Sequence, residues 1–409
     1  MPDQPDYDVI VIGAGPAGAQ LTRYLANRKF KVLLIEKQKE IGEPNFSTAG
    51  TIRQTLKDFD LPHTQVAPYF WNQLYVETPN MTINKKLRRN SGWVFDFRKL
   101  KQWIVEDAVK KGATVYVSAE VTELFFKDGE IAGVECHGPM FSGRISSKMV
   151  VDATGGGTFA YKLGLANPDD KEIAVGVELE MANTDLPQKN TLFFYLGDDY
   201  VPNGYGWVFP LTDNISKIGV ARYLAFSKKD LNLEDCLNNF IKKIPWLSEC
   251  QPLEMHGGSI IFNPKFNNYV TDNFMVIGSA AAQVNPLGGE GIRHALWAAK
   301  FASKTIEKSL RKRDTSKKRL SEFNKIWLKY SNNNWSESYR LTHIIYGDTD
   351  NNIVSRNLSF FQKFSGDELF DMLFFYNFRK YSGRFAKSIG LASKNKVLGL
   401  VKNIFNRKK

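Results

Sequence analysis

Cysteine is scarce in this sequence. Three occur in 409 residues, Cys136, Cys236 and Cys250, with no CxxC spacing. That argues against a disulfide framework or a thiolate metal site and for reduced thiols. No run of about 18 apolar residues is present, so no membrane-spanning helix is expected. The opening MPDQPDYDVIVIG carries acids where a secretion signal carries bases, and a cytoplasmic location is expected from it. Repeats and low-complexity linkers are missing as well. Acidic residues run out near the end: none follows Asp371, whereas ten Lys/Arg do. Residues 301–409 hold 23 Lys/Arg against 9 Asp/Glu, so the net charge of +12 is entirely C-terminal.

Such a basic patch suits nucleic acid, anionic lipid or an acidic protein. Val397, Leu400, Val401, Ile404 and Phe405 fall at helical spacing among Lys394, Lys396, Lys402, Arg407, Lys408 and Lys409. That is the composition of an interfacial amphipathic helix. Peripheral docking on an anionic membrane surface is expected there, and no nucleic-acid partner.

The remainder reads as α/β. Residues 8–12, DVIVI, form the apolar run of a buried parallel strand. A glycine-rich turn follows, then an apolar-periodic helix from about Ala17 to Ala26 and a second buried strand over 31–37. Lys99 to Lys111 reads as a helix. KDGEIAGVEC reads as a hairpin turning at Asp128-Gly129. MVVDATGG, residues 149–156, is a further buried strand. Aromatic, alternating segments over about 174–262 predict an antiparallel sheet. The buried-strand pattern returns at 273–281, a helix starts near Gly291, and the chain beyond about 311 reads as helical. The expected organisation is a discontinuous dinucleotide-binding domain (1–60, 93–173 and 263–310), a substrate domain (61–92 and 174–262) and a helical basic region (311–409).

Gly13-Ala14-Gly15-Pro16-Ala17-Gly18 stands directly between a strand and a helix, and Glu36 follows the second strand. Gly13 permits the tight turn, Gly15 lets the backbone approach a pyrophosphate, and Gly18 lets the helix lie close on the strand. The helix N-terminus offers free N–H groups and a partial positive charge to phosphate. Glu36 can accept hydrogen bonds from ribose hydroxyls. Together these specify dinucleotide binding, although the fingerprint alone does not separate FAD from NAD.

A second signature lies at NFMVIGSAAAQVNPLGGEGIRHAL, residues 273–296: a strand ending at Gly278, then Ser279, Pro286, and Gly288, Gly289 and Gly291 opening a helix at Ile292. It resembles the second FAD motif of the p-hydroxybenzoate-hydroxylase-like superfamily. Asp152, Thr154 and Gly155 resemble that superfamily's middle motif. Tyr205-Gly206-Trp207-Val208-Phe209-Pro210 matches a YxWxFP pattern, and Gly42 to Gly50 resembles a G.P..C..G segment. Both point to the geranylgeranyl reductase family within the superfamily.

The resemblance implies a Rossmann-like FAD-binding domain of the GR2 type with an antiparallel-sheet substrate domain and a C-terminal helical region. It implies FAD held by Gly13, Ala14, Gly15, Pro16, Ala17, Gly18, Glu36 and Lys37 at one end. Ser47, Thr48, Gly50, Arg98, Val121, Thr154 and Gly155 would contact it further along, and Gly278, Ser279, Pro286, Gly288, Gly289, Gly291 and Ile292 at the flavin end. It also implies a prenyl lipid or pigment precursor as substrate. Electrons would come from transient NAD(P)H or a ferredoxin-type protein, since no second GxGxxG unit is visible. The chain departs from the family at three places. Ser47 stands where the family has cysteine, Ser279 replaces an aspartate, and a family arginine near Phe97 is absent unless Arg98 replaces it.

Saturating an unactivated alkene requires a proton at one carbon and hydride at the other. Aromatic faces stabilise the cationic character that develops. Phe193, Phe194, Tyr205, Trp207 and Phe209 are the candidate substrate-lining residues. Ser47, Tyr205 and His294 are the candidate proton donors. No metal-ligand spacing appears. The competing readings are a flavin monooxygenase or halogenase, whose WxWxIP motif falls near Tyr205–Pro210, a lycopene-cyclase-like isoprenoid enzyme, and a non-catalytic flavoprotein.

Overall fold

The structure, a computed structural model, describes residues 5–139, 141–227, 231–347, 350–381 and 384, without the side chains of 332–334. Two large sheets and a set of C-terminal helices make up the fold. The first sheet runs, strand by strand, Val270–Thr271, Phe274–Val276, Ser142–Asp152, Tyr7–Ile12, Val32–Ile35 and Thr114–Tyr116. Its last five strands are parallel, with Val9 opposite both Val32 and Met149. Residues 9–12 and 32–35 are all buried, packed in one core with three helices and with Val121, Ile131 and Val134 of a hairpin, which is why they read as unbroken apolar runs. The first half of Ser142–Asp152 also pairs with the antiparallel hairpin Glu120–Lys127 and Glu130–His137. That hairpin turns at Asp128 and Gly129, both at positive φ. Helices Pro16–Asn27, Phe97–Lys110 and Ile292–Arg311 pack on this layer.

The second sheet runs Gln251–Phe262, Glu172–Ala182, Ile215–Tyr223, Gly204–Pro210, Thr191–Leu196, Gln73–Thr78 and Met81–Lys86. It is antiparallel apart from one pair: Thr191–Leu196 runs parallel to Gln73–Thr78. The chain between those two strands passes through the first sheet. So long a connection can return in the same direction, as a hairpin cannot.

Alternation along these strands gives the sheet two different faces. Val177, Met181, Phe193, Tyr195, Val208, Ile218 and Val220 share one face and pack under Leu237 and Phe240 of helix Leu233–Lys243. The strand pattern did not anticipate that helix. Asn232 caps it through Glu234 and Asp235 N–H, acids occupy its first turn, and Lys242 and Lys243 its last. Phe193 therefore faces away from its neighbour Phe194, and its expected place in the substrate pocket is corrected: it lies 5.4 Å from Trp246 and from Tyr75 in this core.

A three-stranded sheet, Gly50–Ile52, Gly92–Val94 and Tyr69–Trp71, draws strands from both segments assigned to separate domains. C-terminal helices Glu322–Tyr346, Asn351–Ser359 and Gly366–Phe375 bridge the two sheets. Phe323 and Trp327 join the core of the first, while Leu341, Tyr346, Leu358 and Met372 join the core against the second. No helix among the described residues is long and apolar enough to cross a membrane. The amphipathic segment expected at 394–409 lies outside the described residues.

Candidate active site

The glycines of the fingerprint differ sharply in what surrounds them. Gly13 has φ +99°, and a Cβ there would fall 2.6 Å from the Ala153 carbonyl oxygen. A Cβ at Gly18 would fall 2.0 Å from the Gly13 oxygen, so helix and turn meet backbone to backbone. At Gly15 a Cβ would meet nothing within 4 Å. The helix begins there with Pro16 in its first turn and no side-chain cap. The result is an open space at a bare helix N-terminus, suited to a phosphate.

The Glu36 carboxylate accepts the Ala14 N–H at 2.7 Å and the Gln38 N–H at 2.9 Å. Ala119 N–H donates to the Glu36 carbonyl at 3.0 Å, which brings the start of the Val121 strand alongside. Lys37 is exposed. Thr154 turns its hydroxyl inward to Asp152 at 2.7 Å, and burial pushes the Asp152 carboxyl above its ordinary range. Gly155, at φ +84°, is a second open position.

These groups all follow the C-terminal ends of parallel strands, where ligands bind in such sheets. Gly278, the turn after Phe274–Val276, sits against the fingerprint helix: a Cβ there would lie 2.7 Å from Ala17 Cβ. Ser279 beside it is exposed. The next loop is tethered from the second sheet and the C-terminal helices. Tyr223, Tyr346 and Tyr205 donate to the carbonyls of Pro286, Leu287 and Gly288 at 2.6, 3.0 and 3.2 Å. Gly288 remains open, and Gly291 caps the helix that begins at Ile292. Arg98 pairs with Glu43 at 3.1 Å and Glu254 at 3.0 Å, and its buried Nε has no hydrogen-bond partner. The open positions at Gly15, Gly155 and Gly288, with this spare donor, fit an extended dinucleotide such as FAD.

The inner face of the second sheet meets this cradle. Across one row of the register lie His256, Glu178, Gly219, Trp207 and Phe194. Gly219 explains the row: a Cβ there would be 2.3 Å from the Trp207 ring. The indole can therefore lie over the neighbouring strand and point Nε1–H at Glu178, 3.4 Å away. Thr48 donates to the same Glu178 oxygen at 2.7 Å. The other carboxylate oxygen, Oε1, is buried and unpaired. In the next row the fully buried Lys217 donates to the Ser47 carbonyl at 2.8 Å and stands 3.6 Å from Glu180. Phe209 lies against Gly50, where a Cβ would be 2.6 Å from its ring, and 5.1 Å from Phe194. The strand Tyr205–Phe209 is thus held between Ser47–Gly50 on one side and Gly288–Gly289 on the other.

The three candidate proton donors are placed differently. Ser47 adjoins Thr48 and Lys217 at the cradle. Tyr205 uses its hydroxyl on Gly288; burial and the Glu178 charge push it up to about 12. His294 is drawn elsewhere. Both its ring nitrogens are taken, by Tyr330 and Tyr376 hydroxyls at 2.9 Å each, and burial lowers its pKa. Glu290 and Arg293 complete that network through two contacts of 2.6 Å. These partners give His294 a structural place and correct its candidacy as donor.

Sequence reasoning passed over Glu178 and Lys217. Both sit on the strand face that carries charge, and such a face ordinarily meets water. Glu180, Glu254 and His256 on the same face present ligand-type atoms within 4.8 Å of one another, a cluster the absence of metal-ligand spacing did not foresee.

A family model for FAD dependent oxidoreductases matches residues 8–196, and one for the geranylgeranyl reductase catalytic domain matches 172–260. The chain is 31% identical to a digeranylgeranylglycerophospholipid reductase of Haloferax volcanii, over 79% of this chain and 81% of that one. It is also 31% identical to the reductase of that name from Methanocaldococcus jannaschii, over 78% and 82%. Among solved structures, a geranylgeranyl bacteriochlorophyll reductase-like protein from Thermoplasma acidophilum aligns with a TM-score of 0.80 at 22% identity, covering 92% of this chain and 98% of that one. The myxobacterial chondrochloren halogenase aligns at 0.68 and 18%, covering 86% and 85%; that likeness extends to the fold alone.

Proposed function

The chain belongs to the geranylgeranyl reductase family of FAD-dependent oxidoreductases, and from that premise we propose that it saturates double bonds of a geranylgeranyl chain carried on a glycerophospholipid. The observation that carries this reading is the inner sheet face. It sets Tyr205, Trp207, Phe209 and Phe194 edge to edge between the two loops of the cradle. A long apolar alkene fits that surface, and the ring faces stabilise tertiary-cation character as one carbon is protonated. Gly13–Gly18 and Gly278–Ile292 would hold FAD, which in its reduced form would provide the hydride for the other carbon. Glu178 is the group on the chain suited to hold the proton. Thr48 and Trp207 fix one of its oxygens and leave Oε1 free of partners. Burial excludes competing water from that atom. Lys217 fixes the Ser47 carbonyl and so the segment that closes the cradle.

Electrons come from transient NAD(P)H or a ferredoxin-type protein. The basic segment after Asp371 docks the enzyme on an anionic membrane, where a prenyl lipid resides. Equal pelleting of the full chain and a chain ending at Leu391 with anionic vesicles at low salt would remove that docking role. The function itself is tested by anaerobic incubation of chemically reduced protein with a digeranylgeranylglycerophospholipid. Mass spectrometry should read pairs of added hydrogens. A product of unchanged mass, or oxygenation or halogenation in air, would overturn it.

A further inference from the structure

A groove of about 810 Å³ opens beside the three-stranded sheet. Its floor is apolar: Ile52, Trp93 and Phe370 line it, with Phe375 at the rim, 37% exposed. Its remaining charged lining is of one sign. Arg53, Lys57 and Arg89 are exposed there, and among the described residues no Asp or Glu lines the groove and none of the three makes an ion pair. They are held in place by backbone. Arg53 N–H donates to the Ser91 carbonyl at 2.9 Å, and Asp367 accepts the N–H groups of Arg88, Arg89 and Asn90. Trp93 is fixed by a stack on His63, 5.0 Å between centroids and 9° between planes.

The groove is continuous in packing with the reaction strand. Ile52 and Phe370 belong to the same side-chain cluster as Trp207 and Phe209. Two residues before Ile52, on the same strand, Gly50 abuts the Phe209 ring. An apolar floor that packs directly against the aromatic strand, under a rim of cations, matches a molecule with an apolar chain and an anionic end.

We propose that this groove binds the phosphate-bearing end of the prenyl glycerophospholipid, so that Arg53, Lys57 and Arg89 select a charged lipid over an uncharged one. The assignment rests on the reductase reading above. Calorimetric titration in neutral detergent micelles tests it, comparing a digeranylgeranylglycerophospholipid with digeranylgeranylglycerol. Cations near an anionic group each contribute modestly, so wild type should prefer the charged lipid by about tenfold. The variant Arg53→Gln/Lys57→Gln/Arg89→Gln should bind both lipids alike, at the level of the uncharged one. Arg88→Gln, on the same turn but outside the groove, should keep the preference. Undiminished preference in the triple variant, or none in wild type, overturns the proposal. So does a triple variant that loses only its pelleting with anionic vesicles, which would assign the cations to a membrane surface. Turnover is read in the same samples. Failure of wild type to reduce either lipid would count against the reductase reading and leave the binding comparison to decide the groove.

Discussion

Gly15→Asp should do two opposite things, and the structure gives the size of each. Gly15 has φ −63° and ψ 174°, a conformation open to any residue, and its Cβ would meet nothing within 4 Å. The uncapped helix would gain a good N-cap, worth a few tenths of a kcal/mol over glycine. A carboxylate beside the helix N-terminus adds about 0.3–1 kcal/mol. Loss of glycine's freedom in the unfolded chain adds about 0.4–1 kcal/mol. Flavin-stripped Gly15→Asp should therefore be more stable than stripped wild type by about 1–2 kcal/mol. The same carboxylate would fill the phosphate space with like charge. Losing two charge-assisted hydrogen bonds, at about 1.5–3 kcal/mol each, weakens FAD by roughly 10²–10⁴-fold. Adding FAD should then reverse the order of stability, because ligand binding raises the wild type alone, by about 4 kcal/mol at a thousandfold excess over Kd. Gly18→Ala provides the contrast. Its Cβ would stand 2.0 Å from the Gly13 oxygen, so the stripped protein itself should lose about 1–3 kcal/mol. The assays are denaturant unfolding of stripped protein and FAD titration by flavin fluorescence. Wild-type FAD affinity in Gly15→Asp, or a stripped form less stable than wild type, would refute the reasoning.

Glu178→Gln keeps the shape and the acceptor for Thr48 but cannot give up a proton. Hydride transfer from reduced protein should slow by about 10²–10⁴-fold with FAD binding unchanged; an unaltered single-turnover rate would remove Glu178 from the chemistry. Lys101 is buried, with its Nζ bonded to the Pro44 carbonyl at 2.8 Å, and burial lowers its pKa from 10.5 to about 8. The unfolded chain thus binds the extra proton between those values, so wild-type stability should rise as pH climbs from about 8 to 10.5, by about 2–3 kcal/mol. Lys101→Met should lack that rise, and parallel pH profiles for the two proteins would contradict the assignment.

How far the molecule could be read from sequence depended on how local each signal is. The fingerprint is local. Turn, helix start and close packing are demanded within six consecutive residues, and the structure gives Gly13, Gly15 and Gly18 three distinct surroundings. Runs such as 9–12 and 32–35 announce parallel strands because burial on both faces leaves no polar position. Alternation likewise shows that the strands from Glu172 to Phe262 have two faces. It does not show what covers each face. Phe193 and Phe194 both looked like pocket residues, and only helix Leu233–Lys243, packed on one side, separated them. Glu178 and Lys217 drew no notice in the sequence, and only the fold brings Thr48 and the Ser47 carbonyl onto them. His294 looked like a free acid–base group; Tyr330 and Tyr376, 36 and 82 residues further along, close both its nitrogens. The sequence by itself determined the turn at Gly13–Gly18, because its requirements are those of backbone geometry between neighbours in the chain. The tertiary structure alone decided which polar side chains are sealed against the cradle and which are tied off elsewhere. Burial and pairing are properties of residues far apart in sequence, and no pattern along the chain encodes them.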